Sequence, residues 1–143
     1  QRCVEHLAAR VREGKADGVG DDYLALLYRK LRSESGTGIS IEQVAVAIGD
    51  GVWITFPGEL YTEIGQSIKQ KSPFRRTQII GLANAYVGYI PTRRAIGEGG
   101  YSEDTRRCDE TAEEIITQQS IALLQSVQAQ AAQPVQKQKE ATT

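Results

Sequence analysis

The chain has 143 residues, 40% of them apolar, and a formal net charge of −1. That length suffices for one domain burying roughly two-thirds of its unfolded surface, and the composition is that of an ordinary globular protein. Near-balanced charge gives no electrostatic ground for a nucleic-acid or anionic-membrane partner, and the apolar runs fall far short of the ~18–20 residues a transmembrane helix needs.

Cys3, Val4, Leu7, Ala8 and Val11 recur at spacings of three and four, the pattern of a short helix over residues 2–12. Gly14, Gly18 and Gly20 interrupt it, and Asp21-Asp22 offers N-cap chemistry for a second helix to about Arg32. A small polar connector follows, from Ser33 to Gly38. Ile39 to Ile48 alternates, with Val44, Val46 and Ile48 on one face, and Val52 to Phe56 resumes β character. Between these runs Asp50-Gly51 predicts the tip of a hairpin with a type I′ turn. Pro57-Gly58 stops the second strand, and a helix is expected over Glu59–Lys71, with Leu60, Ile64 and Ile68 inward.

Gln78 to Ala83 reads as a buried strand that Ala85–Ile90 either extends or leaves at Asn84. Residues 91–107 read as a long loop, the kind that carries function or moves. Asp109 caps a helix with an acidic first turn, its inward face formed by Ala112, Ile115, Ile116 and Leu123. Residues 1–124 thus form one mixed α/β unit. From Gln125 the glutamine-, alanine- and lysine-rich composition, with Pro134 inside it, predicts a disordered tail or a frayed helical extension. Cys3 and Cys108 could pair in an exported protein, but unpaired thiols are the expectation. No charged-then-apolar leader precedes the first helical stretch, and the chain starts at Gln1, so an N-terminal part is expected upstream.

Glu59 stands out as a candidate for chemistry. It lies in Thr55-Phe-Pro-Gly-Glu-Leu-Tyr-Thr-Glu-Ile-Gly65, on a tight turn at the carboxyl end of a strand, the edge where ligands collect in layered α/β proteins. Its plain reading is a carboxylate favoured at a helix N-terminus. A second run, Gly81-Leu-Ala-Asn-Ala-Tyr-Val-Gly-Tyr-Ile-Pro-Thr92, carries Tyr86 and Tyr89, whose plain reading is half-buried strand aromatics.

Together these runs resemble the metal-binding half of the neutral ceramidase family, the zinc amidohydrolases that cleave the N-acyl bond of ceramide. The resemblance covers about residues 40–124 and includes Thr62 and Gly65, three and six positions beyond the glutamate. It implies that Glu59 and Tyr89 are zinc ligands, a carboxylate and a phenolate held by the dication. It implies further that Tyr101, twelve residues past Tyr89, stabilises the developing oxyanion. The family takes two histidine ligands from earlier in its chain, whereas this sequence has one histidine, His6, with no metal-ligand spacing around it. The chain is therefore expected to be the C-terminal part of a larger hydrolase, completed by an upstream remainder of the catalytic domain. It would act on a ceramide-like or other N-acyl substrate, be secreted or periplasmic, and be inactive alone.

Three departures bear on the substrate more than on the metal. The connection between Glu59 and Tyr89 is short, Gly88 replaces a frequent histidine, and Ile90-Pro91-Thr92 replaces a β-branched residue and two threonines. The rival reading is a non-catalytic binding or scaffolding module that keeps the fold. Gly97-Glu-Gly-Gly100 lacks the Gly-Lys-Ser/Thr of a phosphate loop. The pairs Arg75-Arg76, Arg93-Arg94 and Arg106-Arg107 read as solvated surface.

Overall fold

The computed structural model describes Lys30, Ser33 and residues 38–132. Both early helical stretches, Cys3 and His6 lie outside the described residues, apart from Lys30 and Ser33, which are helical. The described elements run β1 (Ala45–Ile48), β2 (Gly51–Thr55), β3 (Glu59–Leu60), α1 (Thr62–Lys71), β4 (Arg76–Ile80), β5 (Tyr89–Ile90), α2 (Tyr101–Thr105) and α3 (Ala112–Ala131). Helices and open sheets alternate in a mixed α/β architecture, as the sequence predicts. No described helix is long and apolar enough to cross a membrane.

β1 and β2 form an antiparallel hairpin, and β4 adds to β2 in parallel, giving the order β1-β2-β4. β3 and β5 make a separate parallel pair. The inner face of β2 supplies Val52 and Ile54, and Phe56 follows them into the core. Ile64 and Ile68, one turn apart on α1, meet Ile116 and Leu124 of α3 over that face. Complete burial of an isoleucine contributes about 1.5–3 kcal/mol, so the Ile64–Ile68 stripe alone accounts for the seating of α1. Glu63 in the first turn of α1 and Lys69 and Lys71 in its last complement the helix dipole. Ser120 is fully buried on α3 without an electrostatic debt: its hydroxyl donates to the Ile116 carbonyl at 2.6 Å and accepts from Gln43 Nε2 at 3.0 Å.

Several expectations are revised. The hairpin tip is one residue earlier than predicted: Ile48 pairs with Gly51, and the central residues are Gly49 and Asp50. Positive φ occurs at Gly49 (+61°) and not at Asp50, a pattern of the II′ type in which glycine occupies the first central position. Val44, Val46 and Ile48 do share a face of the sheet, but it is the outer one, at 41%, 52% and 66% exposure. Ala45 and Ala47 pack the core instead, because their small side chains let α3 lie close to β1.

The helix expected from Glu59 begins at Thr62, after β3 and the extended residue Tyr61. β4 is an edge strand with Thr77 as its buried residue, rather than a buried strand over Gln78–Ala83. The chain leaves it through Leu82 (φ +55°) and Asn84 (φ +71°). Within the expected loop 91–107 lies the short helix α2. Ile115 is 53% exposed rather than inward. α3 continues through Ala131, past the expected boundary at residue 124, although Leu124 is its last fully buried residue. Residues from 133 onward, the rest of the expected tail, lie outside the described residues.

Candidate functional site

The site is assembled where the Pro57-Gly58-Glu59 turn meets the Tyr86–Tyr89 run. Past Phe56 the chain leaves the three-stranded sheet and pairs anew. The Val87 amide donates to the Pro57 carbonyl at 2.7 Å, Glu59 to Gly88 at 3.1 Å, and Tyr61 to Ile90 at 3.1 Å. This contact needs glycine at position 58. A Cβ there would stand 2.7 Å from the Gly88 carbonyl oxygen, closer than real contacts allow. Gly88 in turn takes φ +85°, a conformation that residues with a Cβ rarely adopt.

The register places Glu59 opposite Tyr89 and Leu60 opposite Ile90. Side chains at paired positions project from the same face of the sheet, so the carboxylate and the phenol fall together, while Ile90 enters the core. The Tyr89 hydroxyl hydrogen-bonds to Glu59, and this bond, followed by partial desolvation and the glutamate's charge, holds its pKa above the usual 10.0. Tyr86, 62% exposed, donates its hydroxyl to Glu59 Oε2 at 3.3 Å. The Tyr101 ring meets Tyr89 edge-on, with centroids 5.8 Å apart and an interplanar angle of 84°.

The structure thus gathers all three residues singled out in the sequence into one patch, Glu59 and Tyr89 half-buried and Tyr101 exposed. Tyr86 is a fourth member that sequence reasoning treated only as a strand aromatic. Its spacing of three from Tyr89 would have signalled opposite faces in a regular strand, and the positive φ of Gly88 breaks that rule. Also missed was the buried pair Glu103–Arg106, at 2% and 4% exposure, where the Arg106-Arg107 dipeptide had been read as surface. The other two pairs are exposed as expected: Arg75 and Arg76 approach Asp50, Arg93 approaches Glu114, and Arg94 approaches Glu63. Cys108 donates its thiol to the Tyr89 carbonyl from beneath the patch.

A cavity of about 330 Å³ is lined by Ile39, Ile41, Val87, Ile90, Cys108 and Ile115, with none of the site's four polar side chains in its wall. As a metal centre, the patch offers two adjacent hard oxygen donors, Glu59 and Tyr89. Carboxylate and phenolate suit a dication, but two protein ligands are fewer than the three or four of known zinc sites. No group of three or more His, Cys, Asp or Glu side chains with metal-binding geometry occurs among the described residues. The donor set fits part of a centre.

A search of solved structures matches this chain to one titled as a ceramidase complexed with C2, at a TM-score of 0.52 and 20% identity. The match covers 64% of this chain and 15% of that one. At such identity the likeness is one of fold: these residues adopt an architecture also found as a portion of that much longer chain. No family model and no curated protein matches the sequence.

Proposed function

We propose that this chain carries one part of the active site of an amidohydrolase acting on N-acyl substrates, with Glu59 and Tyr89 as metal-holding residues. The observation that carries the reading is the direct pairing of Glu59 with Tyr89 across β3 and β5, with Tyr101 edge-on beside them. It is supported by the fold shared with part of a ceramidase. Zinc held at the two oxygens would supply Lewis acidity and a bound water of lowered pKa. The chain's own residues orient and bind. Glu59 would provide the negative charge that favours a cation, and Tyr89, its phenol proton released to water, would supply a phenolate oxygen beside it. The hydroxyl of Tyr86 remains to hold the second carboxylate oxygen. Tyr101, at the open side, donates a hydrogen bond to the amide oxygen as negative charge develops on it. The imidazoles that complete the centre come from outside the described residues, in a longer protein exported from the cytoplasm.

The test has two parts. Zinc titrated into this chain by calorimetry should bind weakly, and Glu59→Gln should abolish that binding. In the protein that also contains the histidine ligands, Tyr89→Phe should retain the fold and lower N-acyl amide hydrolysis by orders of magnitude. Full activity in Tyr89→Phe would overturn the reading and leave a non-catalytic module.

A further inference from the structure

Tyr101 exposes 54% of its surface, yet the backbone that carries it is heavily constrained. It follows Gly97, Gly99 and Gly100, at φ +98°, +81° and +103°, a path that residues with a Cβ rarely follow. Two residues beyond it, the buried carboxylate of Glu103 accepts from the Gly97 amide at 2.7 Å and from the Gly99 amide at 2.6 Å. Arg106 brings its guanidinium to 3.9 Å from Glu103 Oε1 and donates to the Cys108 carbonyl. A carboxylate so far from water persists only where charge and hydrogen bonds meet its oxygens, and Glu103 has both. Two further bonds act on the same short helix: Thr105 donates to the Tyr101 carbonyl at 2.7 Å, and the Ser102 hydroxyl bonds to that of Tyr61 at the start of α1.

These observations have one geometrical consequence. Three of the four residues of the Gly97–Gly100 turn have no side chain, and the fourth, Glu98, reaches outward to the exposed Arg94 at 3.9 Å, so what holds the turn from within is the carboxylate beneath it. Any change in the turn is transmitted directly to the next residue, Tyr101. We propose that Glu103, backed by Arg106, is the positioning residue of the tyrosine cluster: it clamps the glycine turn and so sets Tyr101 edge-on against Tyr89. Glu103 touches no reacting atom. The proposal rests on the reading of Tyr101 as the group that meets the substrate carbonyl, but its first test needs neither metal nor turnover.

In this chain, nuclear magnetic resonance should show slow exchange of the Gly97 and Gly99 amides and ring-to-ring contacts between Tyr89 and Tyr101. Glu103→Gln keeps the volume and removes the charge, and should accelerate exchange of those two amides roughly 10- to 100-fold. The ring contacts should weaken, while the amides of β2 stay protected. Should the buried guanidinium left behind prevent folding, Glu103→Gln combined with Arg106→Gln removes both charges and gives the same readout. Unprotected glycine amides in the wild-type chain, or ring contacts retained in the double variant, would overturn the proposal.

In the hydrolase itself, Glu103→Gln should lower kcat roughly 10- to 100-fold with KM little changed. It should add nothing in a Tyr101→Phe background, since both changes remove the same interaction. Additive losses would mean that Glu103 serves stability alone. Absence of hydrolysis in every variant, wild type included, would defeat the amidohydrolase reading and leave the exchange and ring-contact results to decide the role of Glu103.

Discussion

Gly58→Ala tests whether close backbone approach builds the site. The added methyl would lie 2.7 Å from the Gly88 carbonyl oxygen, 3.1 Å from Val87 Cγ2 and 3.2 Å from Ile90 Cδ1. The two side-chain atoms can yield by a few tenths of an ångström, but the oxygen belongs to backbone. Restoring an ordinary contact of about 3.4 Å moves it about 0.7 Å, away from a position where it accepts the Glu59 amide at 3.1 Å. Overpacking of this kind costs about 1–3 kcal/mol, and a weakened backbone hydrogen bond adds about 1 kcal/mol. We therefore expect about 2–4 kcal/mol of destabilisation, or roughly 10–20 °C in melting temperature for a domain of this size. Thermal unfolding followed by circular dichroism reads the loss, and urea unfolding followed by the fluorescence of Trp53, the chain's single tryptophan, provides an independent measure. Gly51→Ala is the control, since its methyl meets nothing nearer than 3.7 Å. A Gly58→Ala protein as stable as Gly51→Ala, with Tyr89 still bonded to Glu59, would refute the packing account of the site.

Gly49→Val places a β-branched residue at φ +61° and should destabilise the hairpin by about 1–2 kcal/mol in chemical denaturation. Thr111, not Asp109 as the sequence predicts, stands at the N-cap of α3; Asp109→Ala removes the carboxylate that accepts from both the amide and the hydroxyl of Thr111, with an expected loss of about 1 kcal/mol. Those bonds also hold the Asp109 carboxyl below its usual value, so its contribution is present above the ordinary carboxylate range and is lost as pH falls through the lowered pKa. Acid unfolding of Asp109→Ala should accordingly be less steep than that of the wild type. Tyr89 behaves with the opposite sign. Its pKa is raised by Glu59, so the stability from their bond is present below pH 10 and disappears as pH climbs through the folded value. Phenolate absorbance should show one tyrosine titrating late, and Glu59→Gln should return it toward 10.

The sequence was most legible where chemistry and backbone geometry coincide. Pro57-Gly58-Glu59 marks a turn after an apolar strand, and the chain does turn there and change partners. The pairing of Glu59 with Tyr89 was accessible only through the two motifs taken together, because a two-residue parallel ladder has no periodicity to read. Asp50-Gly51 located the hairpin but misplaced its tip, since Gly49 satisfies the same need for positive φ one residue earlier. The choice of buried face on β1 could not be read from hydrophobicity. Val46 and Ile48 are the more apolar side chains, yet the close approach of α3 selects Ala45 and Ala47. Glu103 and Arg106 sit in a stretch that looks like a polar loop, and the hydrogen bonds that make their burial tolerable run to backbone amides, which no residue pattern records.

The parallel pairing of β3 with β5 has a kinetic corollary. The hairpin of β1 and β2 closes over a two-residue turn, so it can form early and at small entropic cost. Glu59 and Tyr89 meet only after α1 and β4 have been threaded between them, and contacts that span so much chain are slow to form. Fluorescence of Trp53, which lies on β2, should therefore recover in refolding before the tyrosine cluster is assembled. The edge-on contact between the Tyr89 and Tyr101 rings should appear only in the last phase, making the site itself a clock for the completion of folding.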